Sequence, residues 1–220
     1  MQAKENKKSI IMQYDNCKTC RRLGQKLFLK GERCLSPKCA MLKRAYPPGP
    51  QKKRRGGTPS EYKKSLQEKQ TLKKWYGLSE RQFKKYVKET LSRMGKVEDV
   101  ANELIRRIEK RLDNAIFRLG FAQSRSHARQ LVSHGIFLIN GKPVNIPSFE
   151  LKKGDIITIK ESKKSKLVFK DLAVSLKRKE TPLWLNLNKE RFEGKTIGEP
   201  SLQEVNPPAE ISLIFEFYSR

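Results

Sequence analysis

The chain has 220 residues, room for one or two domains with real cores, and its 49 lysines and arginines against 23 acidic residues give a formal charge of +26. Such a surplus repels itself in a compact monomer unless a polyanion neutralises it, which makes nucleic acid the leading partner. No apolar run approaches the roughly 20 residues that a bilayer crossing needs, and the polar, lysine-rich start lacks the apolar stretch of a secretory signal, so the composition predicts no membrane partner and a cytoplasmic location.

Residues 1–10 read as a polar arm. Four cysteines then fall close together, as Cys17-Lys18-Thr19-Cys20 and Cys34-Leu35-Ser36-Pro37-Lys38-Cys39. Each short spacing lets two thiolates reach one ion, and four thiolates close a tetrahedral zinc site. Cys17, Cys20, Cys34 and Cys39 are therefore expected to hold one structural Zn2+, the other reading being four reduced cysteines without metal. With no histidine nearby and no open coordination position, a catalytic zinc is disfavoured. The flanking Arg21, Arg22, Lys30 and Lys38 are expected to lower the thiol pKa values, and Arg21, Arg22 and Lys30 to face RNA.

Tyr46-Pro47-Pro48-Gly49-Pro50 is a rigid connector, because consecutive prolines fix φ and remove donors. Between Lys43 and Lys74 there are eleven basic residues and two acidic ones. Lys43, Arg44, Lys52, Lys53, Arg54, Arg55, Lys69 and Lys73, with Arg81 beyond, are expected to contact phosphates. Pro59-Ser60 opens a predicted helix through Trp75, burying Tyr62, Leu66, Leu72 and Trp75. Ser79 and Gln82 form a capping box for the next helix, which carries Phe83, Tyr86, Val87 and Leu91 at helical spacing.

From Asn102, the residues Leu104, Ile105, Ile108, Leu112, Ala115, Ile116 and Leu119 read as one apolar helix face, stopped by Gly120. Ser124 caps a shorter helix through His134 with Ala128, Leu131 and Val132 inward. Ile136 to Ile139 is a strand, Asn140-Gly141 a hairpin turn, and Ile156 to Lys160 a further strand. On the short helix Arg125 and Arg129 are placed together on the polar face, and with Ser124, Asn140, Gly141 and Lys142 they are expected to form a positive ridge suited to RNA shape.

Arg111-Leu112-Asp113-Asn114, Arg118-Leu119-Gly120-Phe121, Ser124-Arg125, Ala128-Arg129-Gln130-Leu131-Val132, His134-Gly135 and Asn140-Gly141-Lys142 resemble the alpha-L RNA-binding motif. Leu29-Lys30-Gly31-Glu32-Arg33-Cys34, Tyr46-Pro47-Pro48-Gly49, Tyr76-Gly77-Leu78-Ser79-Glu80-Arg81-Gln82-Phe83 and the terminal Glu216-Phe217-Tyr218-Ser219-Arg220 extend the likeness. Over nearly its whole length the chain resembles the bacterial small-subunit ribosomal protein S-four family, in its zinc-carrying form. The resemblance implies a structural protein rather than an enzyme, a primary binder of 16S ribosomal RNA that clamps a multi-helix junction of the 5′ domain early in assembly. It also implies a place near the messenger RNA entry channel, beside ribosomal protein S-five. By the same resemblance Arg111, Asn114, Arg118, Ser124, Arg125, Arg129, Gln130, His134, Asn140 and Lys142 are RNA-binding residues.

The expected fold is α+β. A zinc-knuckle segment (1–50) precedes a basic helical domain (51–98), and an inserted alpha-L domain (99–179) packs helices on a small, mostly antiparallel sheet. A C-terminal return (180–220) completes the helical domain, with Trp184, Leu185 and a strand-like Ile211 to Tyr218 folding onto the helices of residues 60–95. An RNA-modifying or tRNA-handling enzyme is the main competing class, but no Gly-rich nucleotide loop or Ser/His/Asp array is present. His127 and His134 read as RNA-contacting or solvated, and Asp113 as orienting its basic neighbours. A free-standing heat-shock or recycling factor would leave the cysteine segment and C-terminus unexplained.

Overall fold

The computed structural model describes residues 16–50, 58–95, 99–164, 172, 176 and 180–219. The 1–10 arm, the run Lys52, Lys53, Arg54 and Arg55, and the terminal Arg220 lie outside the described residues. The cysteine segment carries three short helices, α1 (Asn16–Leu23), α2 (Glu32–Leu35) and α3 (Ala40–Lys43). Its buried apolar content is small, chiefly Leu27 with Cys20, Cys34 and Cys39. It is seated on the rest of the chain at Gly31, whose φ is +57° and where a Cβ would lie 2.5 Å from the Gln123 carbonyl oxygen. Only glycine allows that approach.

Helices α4 (Glu61–Trp75) and α5 (Glu80–Leu91) begin where the sequence predicts, with the Ser60 and Ser79 hydroxyls accepting the Lys63 and Gln82 backbone N–H groups. The predicted helix from Asn102 to Leu119 is instead two. Asp99 caps α6 (Val100–Glu109), which ends before Arg111, and α7 (Leu112–Leu119) starts afresh. The break comes from a distant strap. The Leu112 N–H donates to the Phe149 carbonyl at 2.8 Å and the Leu151 N–H to the Lys110 carbonyl at 2.9 Å, with Arg111 and Glu150 bridged between them. Continuous apolar spacing hides such a break, because both halves keep the same period.

The halves serve different cores. Leu104, Ile105 and Ile108 of α6 pack with Leu72, Tyr76, Phe83, Val87, Val205, Ile211 and Ile214. Leu112, Ala115, Ile116 and Leu119 of α7 pack with α8 (Arg125–Ser133) and the sheet. That sheet has five strands, all antiparallel, in the order β2-β1-β3-β5-β4: β1 (Phe137–Ile139), β2 (Lys142–Pro143), β3 (Ile156–Ile159), β4 (Leu185–Asn188) and β5 (Glu193–Thr196). Asn140 and Gly141, with φ of 49° and 79°, make the two-residue turn between β1 and β2. A short α9 (Glu161–Lys164) follows β3.

Residues after 180 divide their allegiance. Trp184 and Leu185, expected on the helices of residues 60–95, are buried in the sheet core. The β4–β5 hairpin adds to β3, and at Gly194 a Cβ would collide with Leu119 of α7, so the bare backbone lets helix and sheet close. After α10 (Leu202–Val205), the chain returns to the helical core as α11 (Ile211–Ser219), a helix and not a strand. It folds onto α4 and α5 as expected. Ile211, Ile214, Phe215 and Tyr218 stand at i, i+3, i+4 and i+7 and join one core, a helical face within a mostly apolar stretch interrupted by Ser212 and Glu216.

Candidate nucleic-acid interface

The predicted basic residues separate into those that face solvent and those already committed inside. Arg22, Lys30, Lys43, Arg44, Arg81, Gln130, His134, Asn140 and Lys142 are exposed. Arg21 is half-buried, donating from Nε to the Tyr46 carbonyl at 2.9 Å with its guanidinium 5.0 Å from the Tyr46 ring centroid. Asn140 is exposed but spent on the hairpin, donating to Asp155 and accepting the Ile156 N–H.

Lys69 and Lys73 are buried, which corrects their expected role as phosphate contacts. Both bind Glu80, at 2.9 and 2.5 Å, and the Tyr218 hydroxyl donates to the same carboxylate at 2.9 Å. Lys69 Nζ also lies 4.3 Å from the Phe217 ring centroid. Partial burial would raise the Glu80 carboxyl, but the two ammonium groups and the tyrosine hydroxyl hold it down at about 2. These lysines fasten α11 onto α4 and α5.

Of the residues expected to form the positive ridge, Lys142 is exposed, whereas Arg125 and Arg129 are engaged within the protein. Arg125 leaves α8 toward the helical domain, and 11% of its side chain is exposed. Its guanidinium lies 4.0 Å from the Trp75 ring centroid, 4.6 Å from that of Phe117 and 5.0 Å from that of Tyr76. Nε donates to Asn114 Oδ1 at 2.7 Å. Burial lowers its pKa to about 10, so it stays charged at neutral pH. Arg129 uses Nε and the NH2 nitrogen on Asp113, at 3.0 and 2.8 Å, and donates from the other terminal nitrogen to the Gly77 carbonyl. Arg111 and Asp113 form a bidentate pair buried to 3% each, and Arg111 also donates to the Tyr86 hydroxyl. Asp113 thus orients its basic neighbours, as the sequence suggests.

At the centre is Glu109, which is fully buried. It accepts two bonds from Arg118, at 3.0 and 2.7 Å, one from the Tyr76 hydroxyl at 2.8 Å and one from Asn114, with Arg125 at 4.0 Å. Burial alone would raise its pKa, but Arg118 and Arg125 outweigh that and hold it below the ordinary glutamate value. Burial pushes the Tyr76 hydroxyl well up, and Glu109 adds to it, so it stays a donor. Tyr76 and Glu109 belong to the helical domain, whereas Asn114, Arg118 and Arg125 belong to the sheet domain. The cluster is an ionic clasp between the two. Arg111, Asn114, Arg125 and Arg129, all expected to bind RNA, are here engaged with partners inside the protein, because the same guanidinium groups that suit phosphates also suit buried carboxylates and aromatic faces.

Ser124 caps α8, accepting the His127 N–H at 3.2 Å. His127 is half-buried and its pKa is lowered by that burial. Glu109, Trp75, Tyr76 and Phe117 are not among the residues that the sequence predicts for the site. Glu109 had one signal, because it sits four positions after Ile105 on the apolar face of α6.

Cys17, Cys20, Cys34 and Cys39 line one small cavity beneath α1. Burial pushes the Cys20 thiol up and the other three sulfurs add to the rise, opposite to the lowering expected from Arg21 and Arg22. Lys30 N–H donates to Cys34 Sγ at 3.4 Å. Among the described residues no three His, Cys, Asp or Glu side chains converge as a formed metal site, and no helix is long and apolar enough to cross a membrane.

Comparison with known proteins accounts for both halves. The profile of the S4 domain matches residues 110–157, and that of the ribosomal protein S4/S9 N-terminal domain matches residues 12–110. The chain is 44% identical over 205 residues to small ribosomal subunit protein uS4 of Halothermothrix orenii, covering 93% of this chain and 96% of the relative. Small ribosomal subunit protein uS4 of Desulfitobacterium hafniense is 45% identical over 204 residues and that of Thermotoga petrophila 43% over 205, each with the same coverage. The chain belongs to the uS4 family of small ribosomal subunit proteins, structural components of the ribosome and not enzymes.

Proposed function

We propose that the protein binds 16S ribosomal RNA and holds a multi-helix junction of its 5′ domain during small-subunit assembly. The observation that carries this is the S4 domain joined by a buried ionic clasp to a second basic domain in a chain of net charge +26. A clasped pair presents one fixed surface to RNA, so less ordering remains to be done on binding. Arg22, Lys30, Lys43, Arg44, Arg81, Gln130, His134 and Lys142 supply the exposed contacts, with Lys52, Lys53, Arg54 and Arg55 adding charge. Placement near the messenger RNA entry channel and beside ribosomal protein S-five is proposed from the family resemblance. The test is binding of the purified chain to a 16S 5′-domain transcript. Tight binding that falls steeply as salt rises is expected, because many phosphate contacts release counterions. Affinity no better than for an unrelated RNA of equal length would overturn the proposal.

One structural zinc on Cys17, Cys20, Cys34 and Cys39 belongs to the same proposal. Support comes from the donor set: four sulfurs lining one cavity, two from each short-spaced pair, as a tetrahedral thiolate site for a divalent cation needs. Bound there, zinc would cross-link a segment whose apolar core is too small to hold itself. Protein purified under reducing conditions is expected to contain one zinc per chain, and chelation to loosen residues 16–43 to proteolysis. Absence of stoichiometric metal would leave the reduced, metal-free form.

A further inference from the structure

We propose that the cleft between Phe28 and Trp75 receives one unpaired base of the bound RNA, with the Phe28 ring as its stacking platform. The inference rests on the RNA-binding reading above and assigns it a site for a single extruded nucleotide.

The cleft opens where the cysteine segment, the end of α4 and the start of α8 meet. It is lined by Phe28, Lys74, Trp75, Gly77, Phe117 and Ser126, among others. Phe28 is 48% exposed between the buried Leu27 and the half-buried Leu29. Its φ is +52°, a left-handed conformation that a bulky side chain rarely takes and that costs stability wherever it occurs. Turning the ring inward would satisfy it better than holding it in water by a strained backbone. The flanking anchors at Leu27 and Gly31 keep that conformation in place.

The surroundings choose the occupant. Lys26 Nζ stands 5.0 Å from the Phe28 ring centroid, so a cation accompanies the ring. Lys74 also lines the cleft; burial lowers its pKa, Lys73 and Arg22 lower it further, and Glu80 partly offsets them. An anion suits these cations, whereas a basic or neutral apolar peptide does not. A nucleotide supplies both halves of the match, a π-face for Phe28 and a phosphate for the cations.

Two substitutions of similar bulk separate stacking from packing. Phe28→Leu keeps an apolar side chain without a π-face, and Phe28→Tyr keeps the ring. In the full-length chain bound to the 16S 5′-domain transcript, Phe28→Leu is expected to weaken binding roughly 5- to 150-fold, the loss of one stacked base. The dependence on salt should stay unchanged because no charge is removed. Chemical probing of Watson–Crick edges should show one unpaired nucleotide protected by the wild type and by Phe28→Tyr but reactive with Phe28→Leu. Equal affinity and an identical footprint for Phe28→Leu would overturn the proposal. Failure of the wild type to bind the transcript would instead sink the RNA reading on which it rests.

Discussion

Glu109→Ala is expected to lower the stability of the folded chain by about 3–5 kcal/mol, measured by urea unfolding. The carboxylate is fully buried and answers Arg118, Arg125, the Tyr76 hydroxyl and the Asn114 amide. Removing it leaves two largely buried cations without their counter-charge and a buried phenol without its acceptor. That penalty exceeds the net worth of the pair itself, because the remaining charges have already lost their water. The pH dependence follows from the depressed pKa. Glu109 contributes in full above its unfolded value near 4.5 and progressively less as pH falls through its lower folded value. Glu109→Gln should therefore flatten that part of the acid limb. Replacing Arg118 by methionine in the Glu109→Ala background should recover part of the loss, since the two are coupled. A urea midpoint within error of wild type for Glu109→Ala would mean that the clasp does not hold the domains together.

Local chemistry was legible in the sequence wherever a residue decided its own neighbourhood. Ser60, Ser79 and Ser124 cap helices because a hydroxyl two or three residues ahead of unsatisfied N–H groups needs no distant partner. Asn140-Gly141 turns the chain because both residues tolerate positive φ. What the sequence hid was set by partners far along the chain. The strap at residues 147–151 that breaks the helix at Arg111 lies some 40 residues away, and β4 alternates Leu and Asn over only four residues, with its pairing to β5 and β3 set from outside that short run. The candidate site suffered most from this. An arginine beside a helix N-terminus reads the same whether it faces a phosphate or Trp75 and Glu109 across a domain boundary. Lys69 and Lys73 were similarly ambiguous until Glu80 and Tyr218 were brought beside them.

Salt titration resolves that ambiguity in the functional assay. Arg125→Ala is expected to leave the slope of log affinity against log salt unchanged, because a guanidinium held at 4.0 Å from Trp75 and bonded to Asn114 displaces no RNA counterions. Its effect should appear in stability, with a loss of about 3 kcal/mol or more as the stacked cation goes and Glu109 keeps one fewer partner. Affinity should fall only as far as the two domains come loose. The exposed pair Lys43 and Arg44 should behave in the opposite way. Replacing both with alanine should change stability by less than about 0.5 kcal/mol and reduce the slope by roughly 1.5, as two phosphate contacts are lost. Filter binding to the 16S 5′-domain transcript across a salt series, with a urea melt for each variant, reads both quantities. A slope reduced by about 0.7–0.9 for Arg125→Ala, with the melt unchanged, would make Arg125 a phosphate contact and overturn its role as a clasp. The two domains would then be held without Arg125, by Glu109 with Arg118 and Asn114, by Arg129 on Gly77 and by Arg111 on Tyr86, and the aromatic cage around Arg125 would have to open on RNA binding.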